Sequence, residues 1–197
     1  MGKGKNKQKA TRKKETWIDW VRDIAIAAVI MFFITQFVAE ANVIPTESMR
    51  STLEVHDRVI TNKLAYRTGQ PQRGDIVVFF PPEASGKPST RFIKRVIGLP
   101  GETIEIRDGR VIIGEPTTGP DGETIYRQTE LIEDYIREIP LNDFPRTEIP
   151  SDCFFMMGDN RNWSTDSRVW GFVPKERILG KAIGRFWPPN RIGRIYR

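Results

Sequence analysis

The chain turns abruptly from polar to apolar and then to a different rhythm. From 24 to 38 it reads IAIAAVIMFFITQFV, with Asp23 before it and Glu40 just beyond. Its apolar residues go all the way round a helical projection instead of forming one stripe, which counts against a core helix that buries a single face. The run is shorter than the roughly 20 residues wanted for a membrane span. Trp17, Ile18, Trp20 and Val21 extend it upstream, with aromatics suited to a membrane interface. A buried core helix, a cleaved leader and an uncleaved anchor all stay open on this pattern. Ala39-Glu40-Ala41 supplies the small-x-small sequence a leader would need.

Beyond residue 40 the pattern becomes short β-branched runs broken by Gly and Pro. Residues 55–62, 75–80, 90–97, 103–106 and 110–113 read as strands, and Asp108-Gly109 is a hairpin link. Residues 154–157, 178–183 and 183–187 add further strands. The prediction is a mainly β fold, an antiparallel sheet or barrel, preceded by one N-terminal helix that is a transmembrane helix on the anchor reading. Residues 114–149 are polar and carry Pro116, Pro120, Pro140 and Pro145, so they are expected to extend outside the core sheets. No internal repeat is visible.

Length and charge sharpen this picture. The 197 residues allow one domain of ordinary size plus an appendage. The formal charge of +6 suggests a nucleic-acid partner until its distribution is read. Seven basic and no acidic residues precede Glu15, leaving 24 basic against 25 acidic in the rest. The charge belongs to a tail, and nucleic acid is not an expected partner. On the anchor reading, a basic tail before an apolar segment predicts a cytoplasmic tail at residues 1–16, an anchor at 17–39 and a β-rich domain at 40–197 on the far side of the membrane. Cys153 is the only cysteine, so no internal disulfide is possible; among Phe154, Phe155, Met156 and Met157 it reads as a small buried hydrophobe. With one His and one Cys there is no metal-ligand spacing, and neither a metal nor another cofactor is expected.

Candidate chemistry comes from a serine, a lysine and a polar cluster. Ser48, between Pro45 and Met49, reads by itself as a turn or helix-cap residue. A nucleophilic serine would need a base. His56 is the only histidine and lies in a charged turn, Glu54-Val55-His56-Asp57-Arg58. Lys94 is embedded among Phe92, Ile93, Val96 and Ile97, where desolvation would lower its pKa toward a working pH. Without further context a snorkelling strand lysine is the default reading. Arg95 cannot serve, since a guanidinium does not deprotonate in proteins. The 158–168 cluster has the polarity of a calcium loop, but Arg161 and Arg168 would repel a cation and the EF-hand spacing is absent.

Four segments in order change the weighing. They are Ile44-Pro45-Thr46-Glu47-Ser48-Met49-Arg50-Ser51-Thr52-Leu53, Arg73-Gly74-Asp75-Ile76-Val77-Val78-Phe79, residues 92–101 (FIKRVIGLPG) and residues 158–168 (GDNRNWSTDSR). Together they closely resemble the type I signal peptidases, membrane-anchored serine proteases that remove signal peptides from exported proteins. The resemblance runs from the apolar stretch to Trp187 and favours the uncleaved anchor. It implies Ser48 as nucleophile, Lys94 as general base, and an oxyanion hole made by the Thr46 hydroxyl and the Ser48 N–H. It gives Ser164 the role of orienting the lysine, with Asp159, Asp166 and Arg168 holding that region together. Ile44, Pro45, Met49, Leu53, Val59, Phe92 and Ile93 are implied to line shallow pockets for alanine-sized side chains one and three residues before the cut. Implied partners are preprotein signal peptides, the lipid bilayer and the export machinery. One departure stands out: Ser51 replaces a common family proline and adds a second hydroxyl near the site. The rival reading is an inactive relative that only binds exported chains.

Overall fold

The computed structural model describes residues 16–195. The lysine-rich tail and the topology read from it lie outside the described residues. Helix α1, Trp17–Phe33, continues through one π-helical turn, Ile34–Val38, to give a 22-residue rod with no buried residue. At about 1.5 Å per residue it is long enough, and apolar enough, to cross a hydrocarbon core of about 30 Å. It leads without a linker into strand β1, Ala39–Val43, and Lys63 Nζ ties the junction by donating to the Gln36 carbonyl at 2.6 Å.

The remaining strands are β2 (Arg58–Asn62), β3 (Ile76–Phe79), β4 (Phe92–Gly98), β5 (Thr103–Arg107), β6 (Arg110–Thr118), β7 (Thr124–Glu130), β8 (Phe144–Glu148), β9 (Cys153–Met157), β10 (Val173–Pro174), β11 (Ile178–Trp187) and β12 (Gly193–Arg194). One short helix, α2, spans Ser167–Trp170. All pairings are antiparallel. The larger sheet runs β1-β2-β11-β3-β4-β9-β10 with β12 beside β11, and the smaller runs β7-β6-β5-β8. The fold is the mainly antiparallel β architecture expected from the strand pattern.

Three apolar clusters fix the site. Ile97, Phe155 and Met157 of the larger sheet pack on Ile104, Ile106, Val111 and Ile113 of the smaller one. Val77, Phe79, Val96, Phe154 and Met156 form a second cluster with Trp170. The third joins Ile44, Met49 and Leu53 to Val59, Ile76, Val78, Ile93 and Ala182. Strand β4 supplies all three, which explains why both its faces are apolar and why a lysine within it is desolvated. Cys153 is buried, and burial with the neighbouring Asp152 pushes its thiol up to about 11, in keeping with an inert core residue.

Three segments differ from expectation. The strand read at 55–62 starts only at Arg58, because 54–57 is a turn in which His56 takes φ +69° and Asp57 accepts from the Glu54 N–H at 2.9 Å. The two strands read at 178–187 are one strand, bent by register shifts against its neighbours. Residues 114–149 lie partly within a sheet: β7, β8 and the end of β6 belong to it. The end of β6 and all of β7 are largely exposed, so they carry few apolar residues and lack the alternation that marks a half-buried strand.

Candidate active site

Ser48 sits in a single 3₁₀ turn, Glu47–Met49, close behind β1. Met49 and Leu53 are wholly buried beside Ile44, and these apolar anchors pin the turn. The Ser48 N–H lies in the first turn of a short helix, where N–H groups lack an intrahelical acceptor. Lys94, 4% exposed, reaches it from β4 with Nζ 2.6 Å from Ser48 Oγ. Burial lowers the Lys94 pKa to about 8; the carboxylates of Asp166 and Asp159 pull it upward and Arg168 presses it down. The Phe92 ring lies 5.7 Å from Nζ. Thr46 Oγ1 stands 3.2 Å from Ser48 Oγ, so two hydroxyls and an amine share one small volume.

The 158–168 loop clamps the serine from the other side. The Asn160 N–H donates to the Ser48 carbonyl at 3.1 Å, and its side-chain amide donates to the Glu47 carbonyl at 3.1 Å. Gly158 permits this approach: a Cβ there would collide with the Ser48 carbonyl and Ser164 Oγ. Asp166 caps α2, accepts from the Gly158 N–H at 3.0 Å and pairs with Arg168 through both carboxylate oxygens, each at 2.8 Å. Arg168 Nη2 also donates to the Arg161 carbonyl at 2.6 Å. Asp159 pairs with Arg95 and accepts from the Thr52 hydroxyl at 2.6 Å.

A second layer was not legible in the sequence. Arg161 pairs through both guanidinium ends with Glu133 at 2.5 Å, and the Arg95 guanidinium lies 3.8 Å from the centre of the Tyr135 ring. Glu133 and Tyr135 come from the loop between β7 and β8. The signal for Arg95 was present: consecutive side chains leave a strand on opposite faces, so Lys94 and Arg95 each needed a separate polar partner. Nothing local marks Glu133 or Tyr135.

Several expected residues are placed differently. Ser164 Oγ is buried without a hydrogen-bond partner, so the expected bond to Lys94 is not formed; the hydroxyl is turned toward Gly158. Met49, Leu53 and Val59 do not line a pocket; each is wholly buried and floors the groove from behind, because their apolar side chains complete the third cluster. His56 is exposed and enters the network only through its backbone N–H, which donates to the Ile44 carbonyl at 2.8 Å. The Ser51 hydroxyl points away from Ser48 and donates to the Tyr135 carbonyl at 2.6 Å.

Ile44, Pro45, Phe92 and Ile93 do line a groove of about 450 Å³ that also contains Thr46, Ser48 and Lys94. Asn42, Val43, Val78, Lys87, Thr90, Arg91, Trp163 and Thr165 complete its walls and were not singled out from the sequence. Strand β9 pairs with β4 only from Arg95 onward, leaving Phe92–Lys94 unpaired on that side. Among the described residues, no group of three His, Cys, Asp or Glu side chains converges as metal ligands.

Residues 17–187 match the model of the family described as signal peptidase, peptidase S26. The chain belongs to the S26 signal peptidase family. It is 45% identical over 183 residues to signal peptidase I of Leptolyngbya laminosa, covering 90% of this chain and 83% of that one. It is 39% identical to probable signal peptidase I-2 of Synechocystis (95% and 81% covered) and 36% identical to signal peptidase I P of Bacillus subtilis subsp. natto (93% and 96% covered). The chain is therefore an enzyme of the S26 signal peptidase kind, a serine peptidase whose family reaction is removal of signal peptides from preproteins.

Proposed function

We propose that this enzyme is a membrane-anchored endopeptidase that cuts after small-x-small sequences with Ser48 as nucleophile and Lys94 as general base. The observation that carries the proposal is the 2.6 Å separation of Ser48 Oγ and Lys94 Nζ in a buried setting that lowers the lysine pKa to about 8. With the amine neutral, Ser48 O–H donates to Nζ. Attack of Oγ on the scissile carbonyl transfers that proton to Lys94, and the ammonium then gives it to the leaving amine. The acyl-enzyme is released by a water that Lys94 deprotonates in turn. The Ser48 N–H and the Thr46 hydroxyl are the donors for the oxyanion. Ser164, Asp159, Asp166 and Arg168 act by holding the loop against the Ser48 turn.

The groove takes the residues before the cut. Its apolar lining by Ile44, Pro45, Phe92 and Ile93 suits alanine-sized side chains, and the open edge of β4 suits a substrate backbone added as a strand. The unburied apolar rod at Trp17–Val38 supports anchoring in the bilayer, with the catalytic domain at the surface opposite the N-terminus. Contact with the export machinery would bring preproteins to the site.

Cleavage of a preprotein by the full-length chain, compared with Ser48→Ala and Lys94→Ala, tests this. Both variants are expected to be folded, inserted and inactive, since such groups act as one unit. Retained cleavage in either folded variant would overturn the dyad.

A further inference from the structure

Two hollows flank the Ser48 turn and share Trp163. The apolar groove lies on one side. On the other side of Glu47 is a polar cavity of about 520 Å³, walled by Arg50, Arg137 and Glu138 and backed by Asp159, Asn160 and Arg161. Trp163 lines both hollows and is 76% exposed. Its loop is held firmly: the Trp163 N–H donates to the Asn160 carbonyl at 3.1 Å, and Asn160 is itself bonded to Glu47 and Ser48. A large indole carried on a well-held loop and left open at the mouth of the groove is apolar surface available for contact.

The charges around the cavity are unequally engaged. Glu47 pairs with Arg50 at 3.4 Å, and Arg50 also reaches Glu54 at 3.8 Å. Asp159 is neutralised by Arg95, and Arg161 by Glu133. Glu138 accepts from the Asn162 amide at 3.3 Å. Arg137 is different: it is exposed, and among the described residues it has no hydrogen bond or ion pair. Among the described residues, the cavity therefore presents at its rim one guanidinium with no partner, beside the Glu138 carboxylate, which has only the Asn162 amide.

We infer that this cavity binds the substrate segment that follows the scissile bond, that Trp163 packs over that segment, and that Arg137 makes the site favour an acidic residue within it. The inference rests on the reading that Ser48 cuts peptides whose preceding residues fill the apolar groove. A chain lying across Ser48 in that direction leaves the groove beneath Trp163 and enters the cavity over Glu47. The indole offers a flat contact to whatever backbone passes, so it contributes to binding of any sequence. Arg137 adds a choice. An exposed guanidinium–carboxylate pair changes affinity by about two- to fivefold, and salt screens it.

The test uses the full-length chain in non-ionic detergent. Three versions of one preprotein are compared, identical up to the cut and bearing Asp-Asp, Ser-Ser or Lys-Lys at the second and third positions after it. Wild type is expected to cut the Asp-Asp version with a kcat/KM about two- to fivefold above the Lys-Lys version, the gap shrinking at high salt. Arg137→Glu is expected to reverse that order and Arg137→Gln to erase it. Trp163→Ala is expected to raise KM severalfold for all three. The same acid-to-base ratio in wild type and Arg137→Glu, or no preference in wild type, overturns the charge selection. An unchanged KM in Trp163→Ala overturns the packing role. Failure of wild type to cut any of the three would instead strike at the peptidase reading, which separates the two failures.

Discussion

Arg95 and Asp159 meet fork to fork, Nε to Oδ1 at 2.8 Å and Nη2 to Oδ2 at 2.7 Å, with neither side chain exposed. The pair links β4, which carries Lys94, to the loop that clamps Ser48, so it sets the distance between the two. Removing one member leaves a buried charge uncompensated, a loss of about 3–5 kcal/mol. Arg95→Met and Asp159→Leu are each expected to lose that much in denaturant unfolding of the detergent-solubilised protein. The double variant should lose clearly less than the sum. Strict additivity would mean that the two side chains are not coupled.

Lys94, the proposed base, would link catalysis to stability with a definite sign. Its pKa falls from 10.5 to about 8 on folding, because burial disfavours the ammonium. Between those values the unfolded chain holds the proton that the folded chain has released, so stability should rise with pH across this window. Below about pH 8 the ammonium is buried and the whole penalty is present, up to roughly 3 kcal/mol at about 1.4 kcal/mol per pKa unit. Lys94→Met is therefore expected to be inactive yet more stable than wild type at pH 7, and to lose the rise in stability between pH 8 and 10.5. Wild-type activity should climb through about pH 8. A profile that instead rises near pH 6.5 and vanishes in the His56→Ala enzyme would assign the base to histidine.

Thr46 tests the proposed oxyanion hole. Thr46→Val removes the hydroxyl at nearly constant shape, and loss of one such donor costs about 10²–10³ in turnover. Thr46→Ser keeps the hydroxyl and should be mild. Steady-state kcat on one preprotein separates the cases. Equal damage from both changes would assign the residue to packing.

The strand half of this chain was readable because its physics is local. Runs such as 76–79 and 154–157 are apolar on both faces, and Asp108-Gly109 has the residues that a tight hairpin requires. The Ser48 and Lys94 segments were recognisable as motifs, and Lys94 also betrayed itself as a charge inside an apolar strand. What stayed hidden depends on long-range closure. Glu133 meets Arg161 across 28 residues and Ser51 meets Tyr135 across 84, in a loop with no periodicity to mark it. Assigning Met49, Leu53 and Val59 to substrate pockets failed for a related reason. Apolar character near a reactive serine does not say which side chains face the groove and which support it from behind.

Ser51 explains its own departure from proline. Its φ of +96° lies in the left-handed region, which a proline ring fixed near −65° cannot adopt, and its hydroxyl is bonded to the Tyr135 carbonyl. Ser51→Pro is expected to destabilise the Ser48 turn by several kcal/mol. Ser51→Gly should be close to neutral, since relief of about 1 kcal/mol or more of backbone strain offsets about 1 kcal/mol for the lost hydrogen bond. Both should leave His56 and Lys94 untouched. Thermal midpoints in the same detergent measure the difference, and a proline variant as stable as wild type would mean that the turn has a second acceptable conformation.

Ala39-Glu40-Ala41 satisfies the small-x-small pattern the enzyme is proposed to read, so the chain resembles its own substrate. The fold guards it. The tripeptide lies in β1, paired with β2 from Ala39 to Val43, with Ala41 opposite Ile60. Glu40 is also ion-paired with Arg91, and the Asn42 amide donates to the Thr61 hydroxyl at 3.1 Å. Only six residues separate Ala41 from Ser48, and Pro45 stiffens that link, so residue 41 cannot loop back to its own serine. Cleavage after Ala41 must then occur between molecules and only after β1 has peeled from β2. Incubating active enzyme with tagged Ser48→Ala chain should give little fragment beginning at Asn42 under native conditions. The fragment should increase with enzyme concentration, and again when Arg91→Ala in the tagged chain frees Glu40. In a parallel incubation of the active enzyme alone, a fragment beginning at Asn42 that forms at a rate independent of its concentration would show that the strand opens within one molecule and reaches its own site, against this account.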